Sequence, residues 1–76
     1  MKSTMIMLAS INDVKTFVNI VMNYDFEVDL VSGRHVIDAK SIMGIFSIDL
    51  SKPLQINVYA EDTEKFFNDI RPFIVD

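Results

Sequence analysis

The chain has 76 residues, half of them hydrophobic, and this length supports one domain with a single core, predicted to span residues 1–76. The net charge of −4 and the scattered Lys and Arg disfavour binding to a nucleic-acid backbone, and the absence of cysteine excludes disulfides and thiolate metal sites. No apolar run approaches the roughly 20 residues of a membrane-spanning helix, and the N-terminus lacks a signal-peptide pattern, so a cytoplasmic protein is expected.

The first half of the chain predicts a strand, a helix and a hairpin. Residues 3–8 form a short apolar segment typical of a strand, with apolar side chains on both faces. In residues 11–24, apolar side chains recur at spacings of three and four, which predicts a helix covered on one side. Ser10 is the predicted N-cap, and Asp13 completes a capping box. Residues 26–37 alternate apolar and charged side chains around a serine-glycine turn, which predicts a hairpin with one polar face.

The second half predicts two helices separated by a strand. Ser41 is the predicted N-cap of a short helix. The apolar residues of this helix are Ile42, Met43, Ile45 and Phe46. Residues 54–59 alternate as a strand with one polar face, and Asp62 or Thr63 can cap a last helix that Pro72 kinks or ends. The apolar stripe of this last helix is Phe66, Phe67, Ile70, Phe73 and Ile74.

The element order is therefore β-α-β-β-α-β-α. A strand with one polar face needs cover on only one side. The order and the alternation together predict an α+β fold, in which a four-stranded antiparallel sheet carries all three helices on its apolar face.

A segment in the middle of the chain resembles a known family. Residues 38–48 read Asp-Ala-Lys-Ser-Ile-Met-Gly-Ile-Phe-Ser-Ile, which is similar to the regulatory-serine region of HPr, the phosphocarrier of the bacterial sugar phosphotransferase system. The similarity extends without a gap from Ser10 to about Ile56. The resemblance implies the open-faced β-sandwich of that family, in agreement with the architecture inferred from periodicity.

The phosphotransfer motif of that family is missing. HPr proteins carry a Gly-(Leu/Ile)-His-Ala-Arg-Pro sequence, whose histidine accepts phosphate from enzyme I and passes it to sugar-transport proteins. Gapless matching puts Ser10 at the histidine, Asn12 at the arginine and Asp13 at the proline. A serine forms a stable phosphate ester rather than a transferable P–N bond, and Asp13 repels phosphate. The chain is interpreted as a non-enzymatic HPr-like protein without ordinary carrier activity.

The resemblance makes Ser41 the candidate site, because in HPr proteins the serine at the matching position is phosphorylated by HPr kinase/phosphorylase. The alternative is that Ser41 only caps its helix, a contribution of about 1 kcal/mol. Ile42, Met43 and Phe46 match the apolar patch through which HPr proteins dock their partners, although a short helix also needs core contacts.

The leading hypothesis is a regulatory or protein-binding module that uses the Ser41 region. This module is expected to need no cofactor or metal. Its expected partners are proteins of the phosphotransferase or catabolite-control type, including HPr kinase. Two alternatives stay open. One is a phosphocarrier with an unorthodox acceptor, either Ser10 or His35, the latter interpreted as an exposed residue near the hairpin turn. The other is a homodimer or larger homo-oligomer that buries the Met5 and Met7 face of the first strand.

Overall fold

A computed structural model describes residues 1–75. The α+β class is confirmed, with three helices and an antiparallel sheet. In chain order the elements are β1 (Lys2–Ile6), α1 (Ile11–Met22), β2 (Glu27–Ser32), β3 (His35–Asp38), α2 (Ile42–Phe46), β4 (Leu54–Tyr59), α3 (Glu64–Asp69), a 3-10 helix (Arg71–Phe73) and β5 (Ile74–Val75). In the described part of the chain, no helix has the length and apolarity needed to cross a membrane.

The sheet has five strands in the order β3-β2-β4-β1-β5, so the prediction of four strands is wrong. The additional strand is β5, which pairs with the outer edge of β1 through Ile74 opposite Ile6 and Val75 opposite Met5. Pro72 lies in the 3-10 helix, and the chain becomes extended directly after it. The extended chain covers the edge of β1 at Met5 and Ile6, which would otherwise expose unpaired backbone groups.

The apolar core lies between one face of the sheet and the helices. Each long strand contributes alternate side chains to it, as a sheet with one covered face requires. From the strands and the segment after β1 the buried residues are Ile6, Leu8, Val28, Leu30, Leu54, Ile56 and Val58. From the helices they are Val14, Phe17, Val18, Val21, Ile45, Phe66 and Phe73.

The last helical region is divided where the sequence predicts a kink. α3 ends at Asp69, and the 3-10 helix holds Pro72, where the missing backbone donor costs no α-helical hydrogen bond. Thr63 occupies the N-cap position of α3, but its side chain makes no capping hydrogen bond. Thr63 is buried, so its contribution there is packing.

A hydrogen bond ties the end of α1 to the end of α3. The Tyr24 hydroxyl donates to Asp69 Oδ2 at 2.5 Å. This bond to the carboxylate, with desolvation and the negative charge of Asp69 adding to it, raises the pKa of Tyr24 to about 12. Because the pKa in the folded state lies above the ordinary value of 10.0, the stabilisation is complete below pH 10 and is lost as the pH rises through about 12.

This pKa is measurable in the variant Tyr59→Phe, where Tyr24 is the only remaining tyrosine. We expect tyrosinate absorbance to rise with a midpoint near pH 12 while circular dichroism still reports a folded chain. Adding Asp69→Asn removes the charged acceptor, so the midpoint should fall towards 10.0. An unchanged midpoint after Asp69→Asn would contradict the assignment.

Candidate functional site

Ser41 lies at the start of α2, on a turn that Asp38 organises. Asp38 Oδ1 accepts a hydrogen bond from the backbone N–H of Lys40 at 2.9 Å, and the Asp38 carbonyl accepts one from the N–H of Ser41 at 2.9 Å. Ser41 has an extended backbone, and its Oγ accepts a hydrogen bond from the N–H of Gly44 at 3.1 Å. Its side chain is exposed. The structure therefore presents this hydroxyl to solvent at a capped helix N-terminus.

The surface beside Ser41 is apolar but only partly free. Ile45 is fully buried and anchors α2 in the core. Ile42 is half-buried and packs against the same core. Met43 is 78% exposed and Phe46 is 42% exposed. Of the three predicted docking residues, Met43 and Phe46 thus face solvent, whereas Ile42 is shared between the surface and the core.

Gly44 lets α2 approach β3 closely. A Cβ at this position would lie 2.7 Å from Ile37 Cγ2 and 3.1 Å from Ser41 Oγ, and the first distance is too short for two carbon atoms. Sequence reasoning did not assign this role to Gly44, or the turn to Asp38. Asp38, three residues before the N-cap, is a signal of an Asx turn, but the contact with Ile37 depends on tertiary packing.

The N-terminus of α1 is closed by its own side chains. Ser10 Oγ accepts a hydrogen bond from the N–H of Asp13 at 3.1 Å. Asp13 Oδ2 accepts one in return from the N–H of Ala9 at 3.0 Å. The predicted capping pair is thus present, with the carboxylate reaching one residue further back than in the usual box. A carboxylate here uses an N–H group that an incoming phosphate would otherwise meet, and it repels anions.

His35 begins β3 opposite Ser32 and is exposed. Within residues 1–75, no three His, Asp or Glu side chains are grouped as a metal site requires. A depression of about 940 Å³ lies along α3 and the 3-10 helix. Its lining contains neither His35 nor any residue of the Ser41 segment.

Comparisons with known proteins show the family of this chain. A family model described as the PTS HPr component phosphorylation site matches residues 12–74, so the match includes Ser41 and begins two residues after Ser10. Among solved structures, the crystal structure of HPr-C-His from Thermoanaerobacter tengcongensis is similar with a TM-score of 0.79 at 20% identity. That likeness covers 95% of this chain and 89% of the other. No curated protein sequence matches significantly.

At this identity the structural likeness shows the fold, while the family match extends over most of the sequence. Membership suggests a phosphocarrier-type protein of the phosphotransferase system, a class that interacts with other proteins of that system. The chain belongs to the HPr family.

Proposed function

We propose that this HPr-family chain is a regulatory protein-binding module, in which phosphorylation of Ser41 controls docking at α2, rather than a phosphohistidine carrier. The observation that carries the proposal is a contrast between two helix N-termini. Ser41 begins α2 with an exposed hydroxyl. At the start of α1, Ser10 and Asp13 are engaged in capping hydrogen bonds, and the gapless sequence match puts them at the positions of the histidine and the proline of the family motif.

Phosphorylation of Ser41 would change the character of the docking surface. A kinase transfers the γ-phosphoryl group of ATP to Ser41 Oγ, and the hydroxyl proton leaves to a base of the kinase. The product carries about −1.5 to −2 charges near neutral pH. Met43 lies two residues after Ser41 and is mostly exposed. The phosphate would therefore put a negative charge beside the apolar docking surface. A partner is thereby selected or rejected by electrostatics as well as by apolar fit.

The geometry at α1 disfavours the carrier role. A phosphohistidine relay needs an imidazole of near-neutral basicity and a cationic partner for the phosphoryl group. The single histidine of the chain, His35, lies in β3 and not at the start of α1. Asp13 instead places a carboxylate there.

The proposed partners have the chemistry that this surface fits. They are proteins of the phosphotransferase or catabolite-control type with an apolar groove for Met43 and Phe46, and an HPr kinase that reaches Ser41. Both side chains are adaptable apolar groups, and methionine in particular suits a surface that more than one partner uses.

The test offers the whole chain to two phosphoryl donors. In one reaction it is incubated with an HPr kinase and ATP, and in the other with enzyme I and phosphoenolpyruvate. Modified residues are mapped by mass spectrometry at a pH that preserves phosphohistidine. We expect one phosphate on Ser41 from the kinase and no label from enzyme I. Ser41→Ala should abolish the label, whereas the matched control Ser47→Ala, at the exposed C-cap of the same helix, should keep it.

The outcomes separate the alternatives. An acid-labile phosphate on His35 from enzyme I would restore the carrier function, and a stable one on Ser10 would give an unorthodox acceptor. Absence of phosphate on Ser41 with several HPr kinases would remove the regulatory function. Labelling of Ser41→Ala to the same extent as the unchanged chain would show that Ser41 is not the kinase site.

A further inference from the structure

On the uncovered face of the sheet, one row of side chains crosses all five strands and is apolar except for Gln55 at its centre. The strand register aligns its members side by side: Val36, Val31, Gln55, Met5 and Val75. Val36 is 64% exposed and Met5 is 39% exposed. With neighbouring strands about 4.8 Å apart, the row is roughly 19 Å long. The helices pack on the opposite face, so two pairs of apolar side chains, separated by Gln55, line the uncovered face.

One flank of this apolar row is acidic. In the next row on the same face, Asp38 lies beside Asp29. Glu27 precedes Asp29 by two residues on β2 and therefore lies on the same face. These three carboxylates and Lys40 line a shallow depression of about 240 Å³. The uncovered face is therefore apolar in one row and acidic beside it, on the half formed by β2 and β3.

The remainder of the flank is neutral and internally hydrogen-bonded. Asn57 continues the acidic row into β4, and Ser3 continues it into β1. Asn57 Oδ1 accepts hydrogen bonds from Ser3 Oγ and from Gln55 Nε2, both at 2.8 Å. These side chains are thereby held in place. The charge beside the row is thus confined to one half of the sheet.

We propose that this uncovered sheet face is a second docking surface, and that its occupant is an amphipathic helix of a partner protein. The row is one side chain wide and runs across the strands, which matches the single apolar stripe along a helix. At 1.5 Å per residue, a row of roughly 19 Å accommodates about 13 helical residues. Lys or Arg on one flank of that helix would meet Asp29 and Asp38, and the depression has room for an ammonium or guanidinium group.

The charges favour a basic partner over a second copy of this chain. Each copy has a net charge of −4 and brings Glu27, Asp29 and Asp38 on this face. Two copies would concentrate six carboxylates and only two lysines, the Lys40 of each copy, in one interface, and this excess of like charge opposes association. This surface lies on the side of the sheet away from α2, so the inference goes beyond the proposed function. A chain with both surfaces occupied would hold two partners at once.

The test is a titration of the isotopically labelled full chain, followed by NMR. The probe is a synthetic helical peptide of about 14 residues, with leucines in one stripe and arginines on one flank. One control peptide replaces the arginines with glutamate, and another replaces the leucines with alanine. We expect saturable chemical-shift changes confined to the uncovered face, and binding of neither control.

Protein variants make the test specific. Val36→Thr keeps the β-branched shape of an exposed residue, and Asp29→Asn removes one charge without changing the size of the side chain. Each should weaken binding of the basic peptide by at least about fivefold, the loss expected for one of the few residues that carry most of the binding energy. Met43→Gln, on the opposite side of the molecule, should leave the affinity unchanged.

Four results would overturn the inference. They are shift changes located on α1 and α2, equal affinity for the alanine-substituted peptide, no saturable binding below about 1 mM, and shifts of the same face that depend on protein concentration without any peptide. The last result would make a second copy the occupant.

Discussion

Phe66→Ala is expected to lower the free energy of unfolding by about 3–5 kcal/mol, the range for removal of a fully buried aromatic ring. Phe66 is 1% exposed. Its ring makes edge-on contacts with Tyr24 and Phe26, with centroid distances of 5.1 and 5.4 Å. Phe67 lies on its other side at 5.8 Å. The ring thus joins α3 to the segment between α1 and β2, and alanine would leave a cavity there.

Urea unfolding monitored by circular dichroism measures this effect. A domain of this length has a total stability of about 4–11 kcal/mol, so the expected loss is at least about a quarter of it. Phe67→Ala is the matched control, because Phe67 is an adjacent ring that is only half-buried. Phe67→Ala should lower the free energy of unfolding clearly less than Phe66→Ala does. Equal losses for Phe66 and Phe67, or a loss below about 1 kcal/mol at Phe66, would contradict the assignment of Phe66 as a core anchor.

The parts of the fold that depend on local pattern could be predicted from the sequence. α1 is an example, since its N-cap Ser10, the partner Asp13 and the apolar stripe all lie within a few turns of one another. The predicted helix of residues 11–24 begins where α1 begins and extends two residues beyond Met22. Helix ends are less certain because Asn23 and Tyr24 still donate hydrogen bonds to carbonyls of the last turn.

The parts that depend on distant pairing could not be predicted. β5 has two residues, too few to show alternation, and Ile74 also fits the helical stripe that precedes it. Only its pairing with Ile6, far away in sequence, makes it a strand. The apolar row has the same origin, because Val36 and Met5 become parts of one line only through the register of the intervening strands.

The candidate site was predictable as a segment but not as a surface. The capped start of α2 could be inferred because Ser41 and its hydrogen-bond donor Gly44 are three residues apart. The half-buried state of Ile42 could not be inferred from the sequence, because it depends on how closely α2 lies against the core. That distance is set by Gly44 and Ile37.

Gly44→Ala therefore tests the geometry on which the proposed site depends. Alanine is the better helix former by about 1 kcal/mol, so in an open helix it would stabilise the chain. Here the new Cβ would lie 2.7 Å from Ile37 Cγ2, and overpacking of this kind costs about 1–3 kcal/mol. We expect a net destabilisation of about 1 kcal/mol, measured by urea unfolding.

The matched background is Ile37→Ala, which removes the obstructing methyl group. In that background Gly44→Ala should be neutral or stabilising, because only the gain in helix propensity remains. If the effect of Gly44→Ala on the free energy of unfolding reverses its sign between the two backgrounds, the contact between α2 and β3 is the cause. The same loss of stability in both backgrounds would instead assign the effect to Ser41, whose Oγ lies 3.1 Å from the new Cβ. Because Gly44 also donates its N–H to Ser41 Oγ, a displaced α2 should slow phosphorylation of Ser41 by the kinase, and Ile37→Ala should restore the rate.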